Sequence, residues 1–129
     1  MTKLAIGIAV VSTAAVIAFA GVASAKEGDV IKKGACSAAS TWKLKLSPED
    51  GRIEVEFEVD QNVNGVRWRI RMRHKGTLFF NQIRRTRAPS GSFEARAVQP
   101  NRAGPDEFRA RALNLRTGET CRARAVAGF

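Results

Sequence analysis

From residue 41 to the end of the chain, hydrophobic and polar positions alternate, and no stretch of useful length shows helical spacing. Trp42, Leu44 and Leu46 are interleaved with Lys43 and Lys45, and Ser47-Pro48-Glu49-Asp50-Gly51 has the composition of a turn. Ile53, Val55, Phe57 and Val59 then alternate with Glu54, Glu56 and Glu58, up to a polar loop from Asp60 to Gly65. Val66, Trp68, Ile70 and Met72 alternate with Arg67, Arg69, Arg71 and Arg73, and His74-Lys75-Gly76 predicts a tight hairpin with glycine in the left-handed region. A fourth strand runs from Thr77 to about Arg84, but Leu78, Phe79 and Phe80 are adjacent and leave its inward face open. After the break at Ala88-Pro89-Ser90-Gly91, Phe93, Ala95 and Ala97 mark a fifth strand. Gln99 to Pro105 is a loop. Phe108, Ala110 and Ala112 alternate with Arg109 and Arg111, and Arg116-Thr117-Gly118 turns the chain into Cys121, Ala123 and Ala125, interleaved with Arg122 and Arg124.

Seven short strands joined by turn residues predict an all-β fold, a seven-stranded antiparallel β-sandwich or a barrel. The domain spans residues 36–129, with the polar stretch 26–35 as a loosely held lead-in. Residues 1–25 have a different pattern. Met1-Thr2-Lys3 is a short positive start, Leu4 to Ala20 is almost wholly apolar, and Ala23-Ser24-Ala25 is a small-x-small site. These are the three parts of a secretory signal peptide, a hydrophobic signal helix removed after Ala25 to leave 104 of the 129 residues. The apolar run is also long enough for a retained membrane anchor; its Ala and Gly content and the Ala23/Ala25 site favour cleavage. The expected location is secreted and extracellular. In that oxidising compartment the only two cysteines, Cys36 and Cys121, are expected to form one disulfide.

Part of the pattern resembles a known family. Val66-Arg67-Trp68-Arg69-Ile70 places a tryptophan on the third strand as the core tryptophan of immunoglobulin-like domains is placed. Asp106-Glu107-Phe108-Arg109-Ala110-Arg111-Ala112-Leu113-Asn114, followed by Thr117-Gly118-Glu119, looks like the penultimate strand and final turn of fibronectin type III and immunoglobulin-like sandwiches. The likeness spans about residues 34–126. The chain departs from antibody domains in having no cysteine pair between the second and sixth strands, and in carrying Phe108 where such folds often have tyrosine. The resemblance implies an immunoglobulin-like sandwich and transfers no function.

Net charge is +10, from 22 basic and 12 acidic residues, and loss of Lys3 with the leader lowers it to +9. In an immunoglobulin-like sandwich the first, second and fifth predicted strands form one sheet and the other four form the second. The outer face of the second sheet would then carry Arg67, Arg69, Arg71, Arg73, Arg109, Arg111, Arg122 and Arg124, with one of Phe79 and Phe80 leaning among them for a guanidinium to stack on. Unit charges about 7 Å apart repel by roughly 0.6 kcal/mol in water before screening, so an anionic partner would relieve such a face. The same enrichment arises from codon bias in a GC-rich genome, with arginine stems covering a solvated sheet. In a second topology, the second and third strands pair as a hairpin. Glu58–Arg67, Glu56–Arg69 and Glu54–Arg71 then neutralise one another in a meander or barrel. In the sandwich the Glu row instead faces Lys43 and Lys45.

Catalytic chemistry is not expected. His74 is the only histidine, placed at a hairpin tip, and it lacks the company a zinc site or a Ser-His-Asp triad needs. Glu54, Glu56 and Glu58 alternate along a solvated strand face and do not sit in a cleft that would separate their pKa values. No cofactor and no metal are implied. The reading that remains is a monomeric, non-catalytic binding or adhesion module whose partner is an anionic cell-wall polymer or an acidic protein surface. Nucleic acid is not expected, nor is a membrane once the leader is gone. The alternative is a secreted protease inhibitor, offering Arg84-Arg85-Thr86-Arg87-Ala88-Pro89 to trypsin-like enzymes, or a small-molecule carrier. Apoproteins of the neocarzinostatin type are similar to this chain in size and architecture, though not in cysteine arrangement or charge.

Overall fold

The computed structural model describes residues 25–129; the signal helix assigned to residues 1–25 lies, Ala25 apart, outside them. Eight strands follow one another: β1 (Val30–Ala35), β2 (Thr41–Glu49), β3 (Arg52–Asp60), β4 (Arg67–His74), β5 (Thr77–Arg85), β6 (Ser92–Pro100), β7 (Asp106–Asn114) and β8 (Thr120–Ala127). They form two four-stranded antiparallel sheets, ordered β1-β2-β3-β6 and β5-β4-β7-β8. Among the described residues no helix is long and apolar enough to cross a membrane.

The strand count corrects the expectation of seven. The eighth is β1, which lies in the stretch read as a lead-in. It pairs along its length with β2, from Val30 opposite Leu46 to Ala35 opposite Thr41. It is an edge strand with exposed Lys32 and Lys33, held by backbone bonds and not by an apolar stripe. Gly34 is required there: a Cβ at that position would lie 2.6 Å from the Trp42 ring, which covers it. A second correction concerns Ser47 and Pro48, which continue β2. The turn is confined to Asp50 and Gly51, both at positive φ, between the paired residues Glu49 and Arg52. Pro48, opposite Ile53 of β3, lies beyond the last β1–β2 pair, so on the β1 side its missing backbone N–H costs no ladder bond.

The meander is excluded by the register. β3 pairs with β2 and β6, not with β4, so Glu58 lies opposite Lys43, Glu56 opposite Lys45, and Glu56 also opposite Arg96. Inward residues from both sheets make one core, with Leu44, Leu46, Ile53, Val55, Phe57, Val59, Trp68, Ile70 and Ala112 all fully buried. Trp68 packs on Phe93 with ring centroids 5.9 Å apart, and its indole N–H donates to Oε1 of Gln61 at 3.0 Å, which satisfies its polar edge.

One corner is bolted between the sheets. Cys36, just after β1, is bonded to Cys121 on β8, across a sequence separation of 85. Beside it the carboxylate of Glu119 accepts hydrogen bonds from the backbone N–H of Ala38 and Ser40 (both 3.0 Å) and from the Ser40 hydroxyl (2.8 Å). The Ser37 N–H donates to the Thr120 carbonyl at 2.8 Å, and the Thr120 N–H returns a bond to Ser37 Oγ.

Candidate anion-binding face

β4, β7 and β8 alternate strictly, so every second side chain points away from the core. Register then decides which outward residues stand abreast. Arg73 lies opposite Arg109, which lies opposite Arg124; Arg71 lies opposite Arg111, which lies opposite Arg122. These are two rungs of three arginines running across the sheet, spaced about 4.8 Å within a rung and about 7 Å between rungs. Arg69 stands beyond the second rung between Ile83 and Leu113, and Arg67 faces Arg85 at the far end. All eight arginines singled out in the sequence share this face. Arg85 is a ninth, hidden in the sequence by the undecided phase of β5.

That phase is set by a bulge. The β4–β5 register shifts between Met72 and Arg73, so that Met72 faces Phe80 while Arg73 faces Leu78, and Phe79 is the extra residue. Neither phenylalanine reaches the arginine face, contrary to expectation. Phe80 is buried beside the core, and Phe79 packs edge-on against Phe108 and His74. Leu78 takes the outward place. The guanidinium that does stack is that of Arg84, whose Cζ lies 5.3 Å from the Phe80 ring.

Acidic partners on this face are scarce. Glu107, two residues before Arg109 on the same side of β7, accepts from Arg109 Nε and from Arg124 Nη2, both at 2.8 Å. Those two guanidinium contacts, Arg109 first, hold its carboxyl below the usual range. Among the described residues, Arg67, Arg69, Arg71, Arg73, Arg85, Arg111 and Arg122 have no carboxylate within 4 Å. Arg69 donates to Asn81 Oδ1 and Arg73 to the Gly76 carbonyl. Five register pairs are therefore like-charged: Arg73–Arg109, Arg109–Arg124, Arg71–Arg111, Arg111–Arg122 and Arg67–Arg85. Between the two rungs lies a depression of about 450 Å³, walled by their six arginines and floored by the strand at Ala110 and Ala123.

The other sheet differs. On its outer face Lys45 meets Glu56 at 3.0 Å and Lys43 meets Glu58 at 3.8 Å, while Arg96 Nη2 donates to Glu54 Oε2 at 2.6 Å. The hydrogen bond from Arg96 lowers the pKa of Glu54, and the one to Glu56 raises that of Lys45. The glutamate row is neutralised within its own sheet and leaves the arginines on the opposite side with Glu107 alone among the described residues.

The expectation of a turn residue fails at His74, which is the buried end of β4. Its Nε2 donates to Asp106 Oδ1 at 2.6 Å, Nδ1 faces the Gln99 amide at 3.3 Å, and the ring stacks on Phe108 at 4.3 Å. The turn itself is Lys75-Gly76, both at positive φ. Nothing in the sequence around His74 signals this, because Asp106 approaches from another strand. Among the described residues no group of three or more His, Cys, Asp or Glu side chains is arranged to hold a metal ion. The inhibitor segment is partly drawn in: Thr86 is buried, its N–H donates to the Val66 carbonyl and its Oγ1 accepts from the Val66 N–H, and the Arg87 N–H donates to the Ser92 carbonyl. Comparison with protein-family models, with curated proteins and with solved structures finds no match for this chain.

Proposed function

We propose that this protein is a small, exported, non-catalytic binding module that holds anionic polymers against the outer face of the β5-β4-β7-β8 sheet. The observation that carries the reading is the pair of three-arginine rungs served by one carboxylate. Like charges directly opposite in a sheet each cost a few tenths of a kcal/mol to about 1 kcal/mol. Five such pairs are a noticeable fraction of the stability of a domain of this size. A polyanion would convert that repulsion into attraction. Export is supported by the leader-like pattern of residues 1–25 and by the disulfide, which persists in oxidising compartments. The immunoglobulin-like reading is supported by the strand order, in which β2, β3 and β6 share one sheet while β4, β7 and β8 share the other, and by Trp68 in the core between them.

The test is retention of the exported protein on immobilised heparin across a salt gradient. Counterion release predicts a steep loss of binding with salt, whatever the polymer sequence. Replacing Arg69, Arg71, Arg109 and Arg111 together with serine should abolish retention at physiological salt. Replacing Arg52, Arg87 and Arg102, which belong to none of the strands β4, β5, β7 and β8, should weaken it only slightly. Equal losses in the two sets, or no retention of the wild type, would overturn the proposal.

A further inference from the structure

The depression between the rungs has a shape as well as a charge. It runs across the strands from Arg71 and Arg73 on β4 to Arg122 and Arg124 on β8, over three strands and hence about 10 Å. Its floor at Ala110 and Ala123 presents backbone, because both methyl groups point into the core. Guanidinium groups stand on both long walls. We propose that this slot binds one linear chain of phosphoryl groups laid across the strands, with arginines of the two rungs gripping it from opposite sides. The inference rests on the polyanion reading and goes further by naming the ligand chemistry and its direction.

Three features select phosphoryl chains. A phosphoryl group within a chain carries two non-bridging oxygens that splay to opposite sides, so each repeat serves both walls at once. The planar arginine fork suits such oxygens in paired hydrogen bonds, which an ammonium group does not reproduce. A carboxylate on a sugar polymer projects to one side and reaches one wall at a time. An extended acidic peptide turns successive carboxylates to opposite sides, so each residue likewise reaches only one wall. The outward positions of β4, β5, β7 and β8 carry no aromatic ring, so nucleic-acid bases find no aromatic platform of the kind single-strand binders use. A bare polyphosphate or a polyol phosphate fits these conditions.

Glu107 bounds the slot. It sits at one end of the sheet face and holds two of the six guanidiniums, those of Arg109 and Arg124, at 2.8 Å. It therefore competes with the ligand for the outer wall.

Calorimetric titration of the exported protein with sodium tripolyphosphate, a glycerol-phosphate oligomer and an oligoglutamate of matched charge tests the proposal. Both phosphate chains, or one of them, should bind with one-to-one stoichiometry, and the oligoglutamate at least about tenfold more weakly, the value of one charge-assisted hydrogen bond. Which phosphate chain binds more tightly tells bare polyphosphate from polyol phosphate. Arg111→Ser, at the centre of the slot, should lose about tenfold or more, and Arg111→Lys, which keeps the charge, should lose most of that; Arg67→Ser on the same face should change little. Glu107→Gln should tighten binding, whereas Glu94→Gln, with the same change in net charge on the other sheet, should not. Thermal unfolding of each variant confirms that it is folded, and Arg111→Lys serves if Arg111→Ser is not. Heparin retention without saturable phosphate-chain binding, equal losses at Arg111 and Arg67, or equal gains at Glu107 and Glu94 would overturn the slot while leaving the polyanion reading intact. Absence of heparin retention would remove both.

Discussion

Nε2 of His74 donates to Oδ1 of Asp106 across 2.6 Å, with both side chains closed off from solvent. The bond joins the last residue of β4 to the first residue of β7, and the imidazole is sandwiched between this carboxylate, the face of Phe108 and the edge of Phe79. It pins the end of the sheet whose outer face carries the first arginine rung. A buried hydrogen-bonded pair of this kind is costly to break from one side, because the remaining partner is left buried and unsatisfied.

His74→Ala should therefore lower stability by about 1–3 kcal/mol, and Asp106→Ala by a similar amount. The double variant should lose much less than the sum, since neither orphan remains. Urea unfolding of the four proteins checks this, and additive losses would mean that the two residues act independently.

The disulfide closes a loop of 85 residues. The chain-entropy account gives about 4–5 kcal/mol of stabilisation for a loop of that length, on the high side. Non-reducing mass spectrometry should find one internal bridge and no alkylatable thiol, and reduction should bring a large fall in the urea midpoint. Reduced protein with an unchanged midpoint would show that the Glu119–Ser40 bonds hold the corner without it.

Trp68 is wholly buried and bonded to Gln61. Trp68→Ala should cost about 3–5 kcal/mol through cavity formation, enough to leave a domain of this size close to unfolding. Near-ultraviolet circular dichroism and thermal melting would report it.

Glu54 is held below the ordinary carboxylate pKa chiefly by its hydrogen bond from Arg96. A group whose pKa is lower in the folded than in the unfolded chain stabilises fully above its unfolded value, about 4.5. That contribution is lost as pH falls through the depressed folded value. Stability should decline on acidification below about pH 4.5, and Glu54→Gln should flatten the decline while lowering stability at neutral pH. Urea midpoints between pH 7 and pH 3 give the comparison; parallel curves for the two proteins would discount the Arg96 contact.

Repulsion on the arginine face makes a prediction of opposite sign to that for the ion pairs on the other sheet. Arg111 has a like charge on each side in register. At low ionic strength Arg111→Thr should stabilise the free protein by about 1 kcal/mol, and the gain should shrink with added salt as screening removes the repulsion. A destabilised variant at every salt concentration would show that the arginine stem contributes packing that outweighs the charge.

Strict period-two alternation was enough to place seven of the strands and, in all but β5, to tell inward from outward residues, including the outward phase of the eight arginines; the division into sheets needed the immunoglobulin-like resemblance as well. The alternation follows from local geometry, since successive side chains in a strand point to opposite sides whatever lies around them. The facing of Lys43 and Lys45 with the glutamate row was legible for the same reason, once the sheet partners were assumed. What the chain concealed depended on neighbours distant in sequence. β1 has no apolar stripe, because an edge strand is held by the backbone of β2. The bulge that turns Phe79 and Phe80 inward and brings Arg85 onto the face exists only in the pairing of β4 with β5. Burial of His74 needs Asp106 and Phe108 from β7, and Glu119 finds Ser40 only across the corner that the disulfide closes. The arginine rungs lie between these cases. Alternation alone puts the residues on one side, but the tertiary register of β4, β7 and β8 sets them abreast, opens the slot between them and leaves Glu107 as their one carboxylate.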